Sequence, residues 1–474
     1  MINQKLNIAF LLLLLSFATF VGCGKATYDE QNIIKEMKKI CLEEYKVSDV
    51  EVKIVGKTIG VFLPLERLFE SDIKKMILSG KTTNLDSLFV PLPDAMDKLN
   101  DVLFTTARVV LSSDIGLEFY QLYVSDVEST GLQIVLTGYI PDLDRMRMWD
   151  IPHSEYRKRV LHDLKLNRAL LWERPVRNLF RDAGKISSFE ALSVYFSEPP
   201  KPLTVSPLFY NFLTEIQNKK NLKIDLQTVK GRTYFGNQGL IYVKLVETYE
   251  PKDGTNPSGI SYPSGSELEY IFIVDMIEET FKITQVIPLY YLDENRQLKK
   301  IAFPKELDLY QNLESWPDHF EIEDINMGEF IAIQLARRMQ NLLAEDERIR
   351  NTMTMAQVNI SYLHHPKDIG PIRKEPYFSI QMDFEPKNSG AGNAKELPSG
   401  TFLENEDTRY AAALVMKEFV DVIRSYRFSQ YGYVEILGLH QELSKNFGIS
   451  LENLELFRKK QLNIKELFEA GFSL

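Results

Sequence analysis

The chain has 474 residues and a formal net charge of −10, with 56 lysines and arginines against 66 aspartates and glutamates. Hydrophobic residues make up 44% and charged ones 26%, the balance of an ordinary globular protein with room for several domains. The acidic balance argues against a nucleic-acid partner, and two cysteines exclude a disulfide-rich scaffold.

The first element is an apolar leader. Leu6 to Val21 is apolar apart from Asn7, Ser16 and Thr19, behind a short start that carries Lys5. Those sixteen residues fall below the ~20 that a membrane-spanning helix needs, and their proportions fit an export signal. Phe20-Val21-Gly22-Cys23 then resembles the lipobox of bacterial lipoproteins, with Phe where that pattern usually has Leu. The resemblance covers about 25 residues and implies a cut signal peptide over 1–22 with acyl chains on Cys23. Two or three acyl chains hold a protein durably on a membrane. Gly24 is not the Asp that retains such proteins at the inner membrane in many Gram-negative bacteria. The resemblance therefore implies an outer-membrane anchor facing the periplasm. No later apolar run approaches the ~18 residues of a second span.

With Cys23 acylated, Cys41 stands alone. It falls in register with Ile33, Ile34, Met37 and Ile40 on the apolar face of a helix over 28–46, as a buried structural thiol. Two strands around a Gly56-Lys57 turn follow over 50–65, then a short helix near 66–79 and a helix over 94–112. Strands at 117–126 and 132–140 complete an N-terminal module over 23–145. The middle domain, 146–300, reads as helices (155–172, 174–182, 206–219) and then strands (222–231, 237–247, 268–276, 280–288). Residues 249–266 are a loop between two of these strands. The C-terminal module, 301–440, has a helix over 328–347, strands at 355–364 and 376–384, a helix over 406–426 and a strand at 431–437. A helical tail occupies 441–474.

The predicted fold class is α+β, with two small helix-on-sheet modules of α-β-β-α-β order flanking a middle domain of helices and antiparallel sheet. That order resembles the ring-building modules of secretion-system and sporulation lipoproteins and of secretins, which stack side by side in envelope assemblies. Helices followed by an antiparallel sheet resemble cone-shaped NTF2-like domains, which implies a pocket in the middle domain.

No motif carries a reaction. Val55-Gly56-Lys57-Thr58 and Ser79-Gly80-Lys81-Thr82 end like a phosphate-binding loop, but Glu51 and Lys75 stand where its first Gly belongs. Ser71-Asp72-Ile73-Lys74 has the spacing of a serine acyl-enzyme without its companion motifs. His364 and His365 point to opposite faces of a strand, while His153, His162, His319 and His440 lie far apart. Glu43-Glu44 and Glu278-Glu279 read as solvated acids, and Ser389-Gly390-Ala391-Gly392 as a turn. No cofactor or metal is implied.

One segment departs from the acidic background. Between Arg145 and Lys185 lie eight arginines and three lysines against five acids. Arg145, Arg147, Arg157, Lys158, Arg159, Arg168, Arg174, Arg177 and Arg181 supply most of the charge, with Trp149 and Trp172 among them. Arginine beside aromatics suits a partner's carboxylates or lipid headgroups, and the commoner alternative is a solvated face paired with the chain's own acids. A double change, Arg157→Glu with Arg159→Glu, is then expected to weaken association without unfolding the protein. The features point to a membrane-anchored, non-catalytic envelope lipoprotein that scaffolds or binds a protein partner, and a homo-oligomer is compatible with modules that stack. A ligand-binding lipoprotein with a middle-domain pocket is the alternative, and an enzyme whose residues meet only in space is the third reading.

Overall fold

The computed structural model describes residues 28–47, 49–70, 90–113, 115–127, 130–186, 188–234, 238–254, 262–278, 280–295, 297–302, 313, 316, 318–364, 375–387, 405–438 and 447–473. The leader with Cys23, the Ser71 to Lys74 and Ser79 to Thr82 stretches, His365, His440 and the Ser389 to Gly392 turn lie outside the described residues. The chain is mixed α+β and divides into two compact units. The first comprises residues 1–144 and 162–323, and the second comprises 145–161 and 324–474.

The first unit opens with α1 (Glu30–Glu43), capped by the Asp29 carboxylate on the Asn32 amide at 2.9 Å. Cys41 is buried on this helix, and burial pushes its thiol up to about 11. Strands β1 (Glu51–Val55) and β2 (Thr58–Leu65) form an antiparallel hairpin, with Gly56 at φ 55° in its turn. Helix α2 (Pro93–Val110) leads to β3 (Phe119–Asp126), which runs parallel to β2, and β4 (Leu132–Tyr139) returns antiparallel. Ile59, Val61 and Leu63 of β2 turn to the side on which α1 and α2 pack, and all are buried. A fifth strand, β5 (Leu161–Leu166), lies at the β4 edge.

In the chain, α3 (Ile140–Arg147) and α4 (His153–Arg159) come next, α4 belonging to the second unit, and the first unit resumes with helix α5 (Arg168–Ala183). Two four-residue helices and α6 (Pro207–Glu215) follow. An antiparallel meander comes next: β6 (Lys219–Thr233), β7 (Gly239–Pro251), β8 (Ser266–Ile277) and β9 (Thr280–Pro288). One face of the meander, with Ile241, Val243, Leu245, Tyr270 and Phe272, packs on Val176 and Phe180 of α5 and on Phe209 and Phe212 of α6. The other face, with Leu240, Tyr242 and Ile271, is covered by Leu313 and Trp316. A small hairpin, β10 (Tyr290–Leu292) and β11 (Leu298–Lys300), stands beside it.

The second unit repeats the topology of the first sheet. Helix α7 (Met327–Glu345) precedes β12 (Met353–Leu363) and β13 (Tyr377–Pro386), an antiparallel pair. Helix α8 (Glu406–Tyr426) leads to β14 (Tyr433–Gly438), parallel to β13. Asn405 caps α8 by accepting from the amides of Asp407 and Thr408. Strand β15 (Phe447–Ser450) returns antiparallel, then come α9 (Leu451–Arg458), α10 (Ile464–Glu469) and β16 (Phe472–Ser473). The strand orders β1-β2-β3-β4-β5 and β12-β13-β14-β15-β16 correspond, with the same antiparallel, parallel, antiparallel sequence over the first four.

Three sequence expectations change. The helix predicted over 155–172 is broken by β5, because Leu161 to Leu166 joins a sheet edge that sequence cannot see. The break predicted between 172 and 174 is absent, since α5 continues through Pro175 and gives up one backbone hydrogen bond there. The tail is not wholly helical: β15 and β16 complete the second sheet. The unit boundary also differs from the predicted module boundaries, with 145–161 joining the second unit and 301–323 the first.

Candidate functional site

The basic segment is divided between the units. Arg168, Trp172, Arg174, Arg177 and Arg181 lie on α5 in the first, and Arg145, Arg147, Trp149, Arg157, Lys158 and Arg159 lie in the second. The expectation that all of them face a partner needs correction at three positions. Trp172 is buried against the meander, where a Cβ on Gly239 would lie 2.6 Å from its ring. Arg159 is only 5% exposed, and its Nε donates to Glu155 Oε1 at 2.9 Å while its guanidinium lies over the Tyr426 ring. Arg177 turns inward to Glu173 and His319. Each sits on the inner side of an amphipathic helix, where an indole packs as core and a guanidinium persists only if paired. Arg159→Glu therefore removes a packed ion pair, and the double change with Arg157→Glu is expected to destabilise the second unit.

Arg338 of α7 ties the same region down, bonding Glu155 at 2.8 Å and Glu418 at 3.3 Å. Arg145 donates to the Ser425 carbonyl at 3.3 Å. Arg181 pairs with the adjacent Asp182, and Arg174 is half-buried. Arg147, Trp149, Arg157 and Lys158 are exposed.

A second constellation escaped the sequence. His319, one of the scattered histidines, is 5% exposed at the centre of a charged cluster in the first unit. Its Nε2 is 2.9 Å from Glu51 Oε1 on β1, and its Nδ1 is 2.9 Å from Asp318 Oδ1 and 3.0 Å from an Arg177 amino group. Arg177 Nε donates to Glu173 Oε2 at 2.9 Å, an i, i+4 pair on α5. Lys53, two residues from Glu51 and so on the same side of β1, donates to Asp318 Oδ2 at 2.6 Å. Phe62 meets the imidazole edge-on at 4.9 Å.

The cluster holds three carboxylates (Glu51, Glu173, Asp318) and two permanent cations (Lys53, Arg177), so one further proton neutralises it. Burial and Arg177 oppose a charged His319, yet Glu173, Asp318 and Glu51 outweigh them and raise its pKa. Burial raises Glu173 as well, against the pull of Arg177 and His319. Burial alone would also raise Asp318 and Glu51, but His319 with Lys53 for the first, and with Arg177 for the second, holds both below their ordinary values. The added proton thus resides on His319 or Glu173, whose Nδ1 and Oε2 are 3.6 Å apart.

The strap 318–323 runs over the face of the first sheet opposite α1 and α2. Three side chains donate to its carbonyls: Lys53 to Phe320 at 2.6 Å, Tyr123 to Glu321 at 3.0 Å and Asn167 to His319 at 2.8 Å. Phe320 joins Phe62, Tyr123, Val135 and Leu170 in a small core beneath it. The strap comes so close to β2 at Gly60 that a Cβ there would lie 2.3 Å from Ile322 Cγ2.

A second buried ion pair lies in the meander. Lys219 and Glu247 bond with both side chains fully buried, and the ammonium sits 5.1 Å from the Phe212 ring centre and 4.8 Å from that of Tyr249. Burial raises the Glu247 carboxyl, and Lys219 opposes the rise. Beside them, the rings of Phe180, Phe209, Phe212, Tyr270 and Phe272 pack at centroid distances of 5.0 to 6.5 Å. Among the described residues, no group of three or more His, Cys, Asp or Glu side chains is placed to hold a metal ion.

The His319 cluster could not be found by spacing, because its members come from positions 51–53, 173–177 and 318–319. The available signal was local: Glu173 and Arg177 stand at i, i+4 within an otherwise apolar helical face. Comparison with protein-family models, curated proteins and solved structures finds no match for the chain.

Proposed function

We propose that the protein is a lipid-anchored envelope lipoprotein, held by Cys23 at the outer membrane and facing the periplasm, that scaffolds or binds a protein partner without catalysis. The supporting observation is the repeated α-β-β-α-β-β topology, in which the two sheets treat their free faces differently. In the first unit that face is roofed by α5 and the 318–323 strap. In the second, Gln357, Asn359 and Ser361 of β12 and Gln381 of β13 stand exposed on it. A polar, open sheet face suits a partner that binds and leaves. The ionisable groups of the His319 cluster satisfy one another across β1, α5 and the strap, as a structural clamp does.

The test is in-cell crosslinking followed by purification of the full chain, comparing wild type with a Gln357→Arg, Ser361→Arg variant. Loss of a specific crosslinked band in a variant that still melts normally supports the reading. An identical crosslink pattern in both proteins removes the second sheet as the binding face.

A further inference from the structure

The turn between α3 and α4 presents two large apolar side chains outward. Trp149 is 84% exposed and Met148 is 67% exposed. Nothing about the turn forces this by default: Trp149 sits at φ 62°, in the left-handed region that a bulky side chain adopts only at a cost. The turn is closed by backbone bonds from Trp149 to the Met146 carbonyl (3.2 Å) and from Asp150 to the Arg145 carbonyl (2.8 Å). Its inner side is held by buried Ile151 and Tyr156. Exposed Arg147, Arg157 and Lys158 lie on the two flanking helices, with exposed Asp144 and Asp150 as the opposing charges, while Glu155 is taken up by Arg159 and Arg338 and the Trp149 ring meets His153 edge-on at 6.4 Å.

We propose that the Met148-Trp149 turn is a membrane wedge that enters the headgroup layer of an anionic bilayer, with Arg147, Arg157 and Lys158 on the lipid phosphates. A tryptophan buries about 150–250 Å², well short of the ~800 Å² per partner of a standard protein interface. A bilayer asks for no matching surface. Tryptophan settles at the membrane interface because one molecule combines an apolar body with an N–H donor, and basic side chains beside it gain from anionic headgroups. The inference rests on the tethered reading in one respect: a chain already fastened to a membrane sees it at high effective concentration, so a weak wedge suffices to orient it.

The experiment separates the two readings by using the full mature chain, 23–474, with Cys23→Ser, so that no acyl chain contributes. The probe is vesicles of phosphatidylglycerol mixed with phosphatidylcholine, compared with phosphatidylcholine alone. Of the three tryptophans, Trp172 and Trp316 are buried, so changes in emission on vesicle addition report Trp149. Expected are a shift of emission to shorter wavelength and reduced acrylamide quenching with the anionic vesicles only. Arg157→Glu with Lys158→Glu should weaken vesicle binding by about tenfold or more. Met148→Ser with Trp149→Ala should abolish cosedimentation while the melting temperature stays within a few degrees. Unchanged emission and quenching in the parent chain, or full cosedimentation of the Met148→Ser, Trp149→Ala variant, overturns the proposal. Palmitate labelling of the unaltered chain in cells tests the tether independently of this outcome.

Discussion

His319 shows what one residue contributes when its surroundings are assembled from distant sequence. In the chain it is an isolated histidine, and isolated histidines are ordinary. In the fold it meets Glu51, Glu173 and Asp318 beside Lys53 and Arg177, and shares with Glu173 the proton that balances them. The pH dependence follows from the directions of the shifts. Asp318 and Glu51 are lowered, so their stabilisation is complete above their ordinary values near about 4 and is lost as pH falls through their folded values. His319 is raised, so its contribution is complete below about 6.5 and is lost as pH rises through its folded value. Glu173 is raised too, and its contribution declines as pH rises above about 4.3 toward its folded value. His319→Gln should therefore lower the stability of the first unit by about 1–3 kcal/mol near pH 6. It should also flatten the decline above pH 6.5 and weaken the acid limb, because His319 helps hold Asp318 and Glu51 low. Melting temperatures of both proteins from pH 5 to pH 9 check this, and parallel curves would refute the role given to His319. Cys41 is the contrasting case: its helical register sufficed to place it in the core, and it is buried there.

Among elements, long periodic segments were legible and edge strands were not. Helix α8 starts and ends as its cap and apolar stripe predict, and the Gly56 turn joins two strands as expected. Strands β5, β15 and β16 span six, four and two residues and take their place only because an edge of a larger sheet accepts them. Nothing in Leu161 to Leu166 distinguishes that edge strand from a helical turn. The strap 318–323 was equally invisible, because it has no periodicity and is defined by what lies under it. Its close approach at Gly60 yields a sharp prediction. Gly60→Val should destabilise the first unit by about 1–3 kcal/mol, since the new side chain meets Ile322 and Phe320. Ile322→Ala in the same chain should return part of that loss, as a double-mutant cycle in chemical denaturation would show. If the two changes add without coupling, the strap does not press on β2.

The proposed placement at a membrane rests on the leader, a local stretch whose chemistry does not depend on the rest of the chain. No helix among the described residues is long and apolar enough to cross a membrane. If Cys23 is the anchor, Cys23→Ser should move the protein from the membrane pellet to the soluble fraction and abolish palmitate labelling, as fractionation of cells would show. Persistent pelleting with labelling would place the anchor elsewhere. The mixed α+β class was determined by the sequence alone, because hydrophobic period and turn residues act over a few neighbours. The allocation of 145–161 to the second unit, the burial of Arg159 and Trp172, the inward turn of Arg177, and the gathering of five charged residues around His319 were decided only by tertiary structure. A buried charge persists where other segments bring it a partner, and the Coulomb and desolvation energies that select that arrangement depend on distance in space and not along the chain.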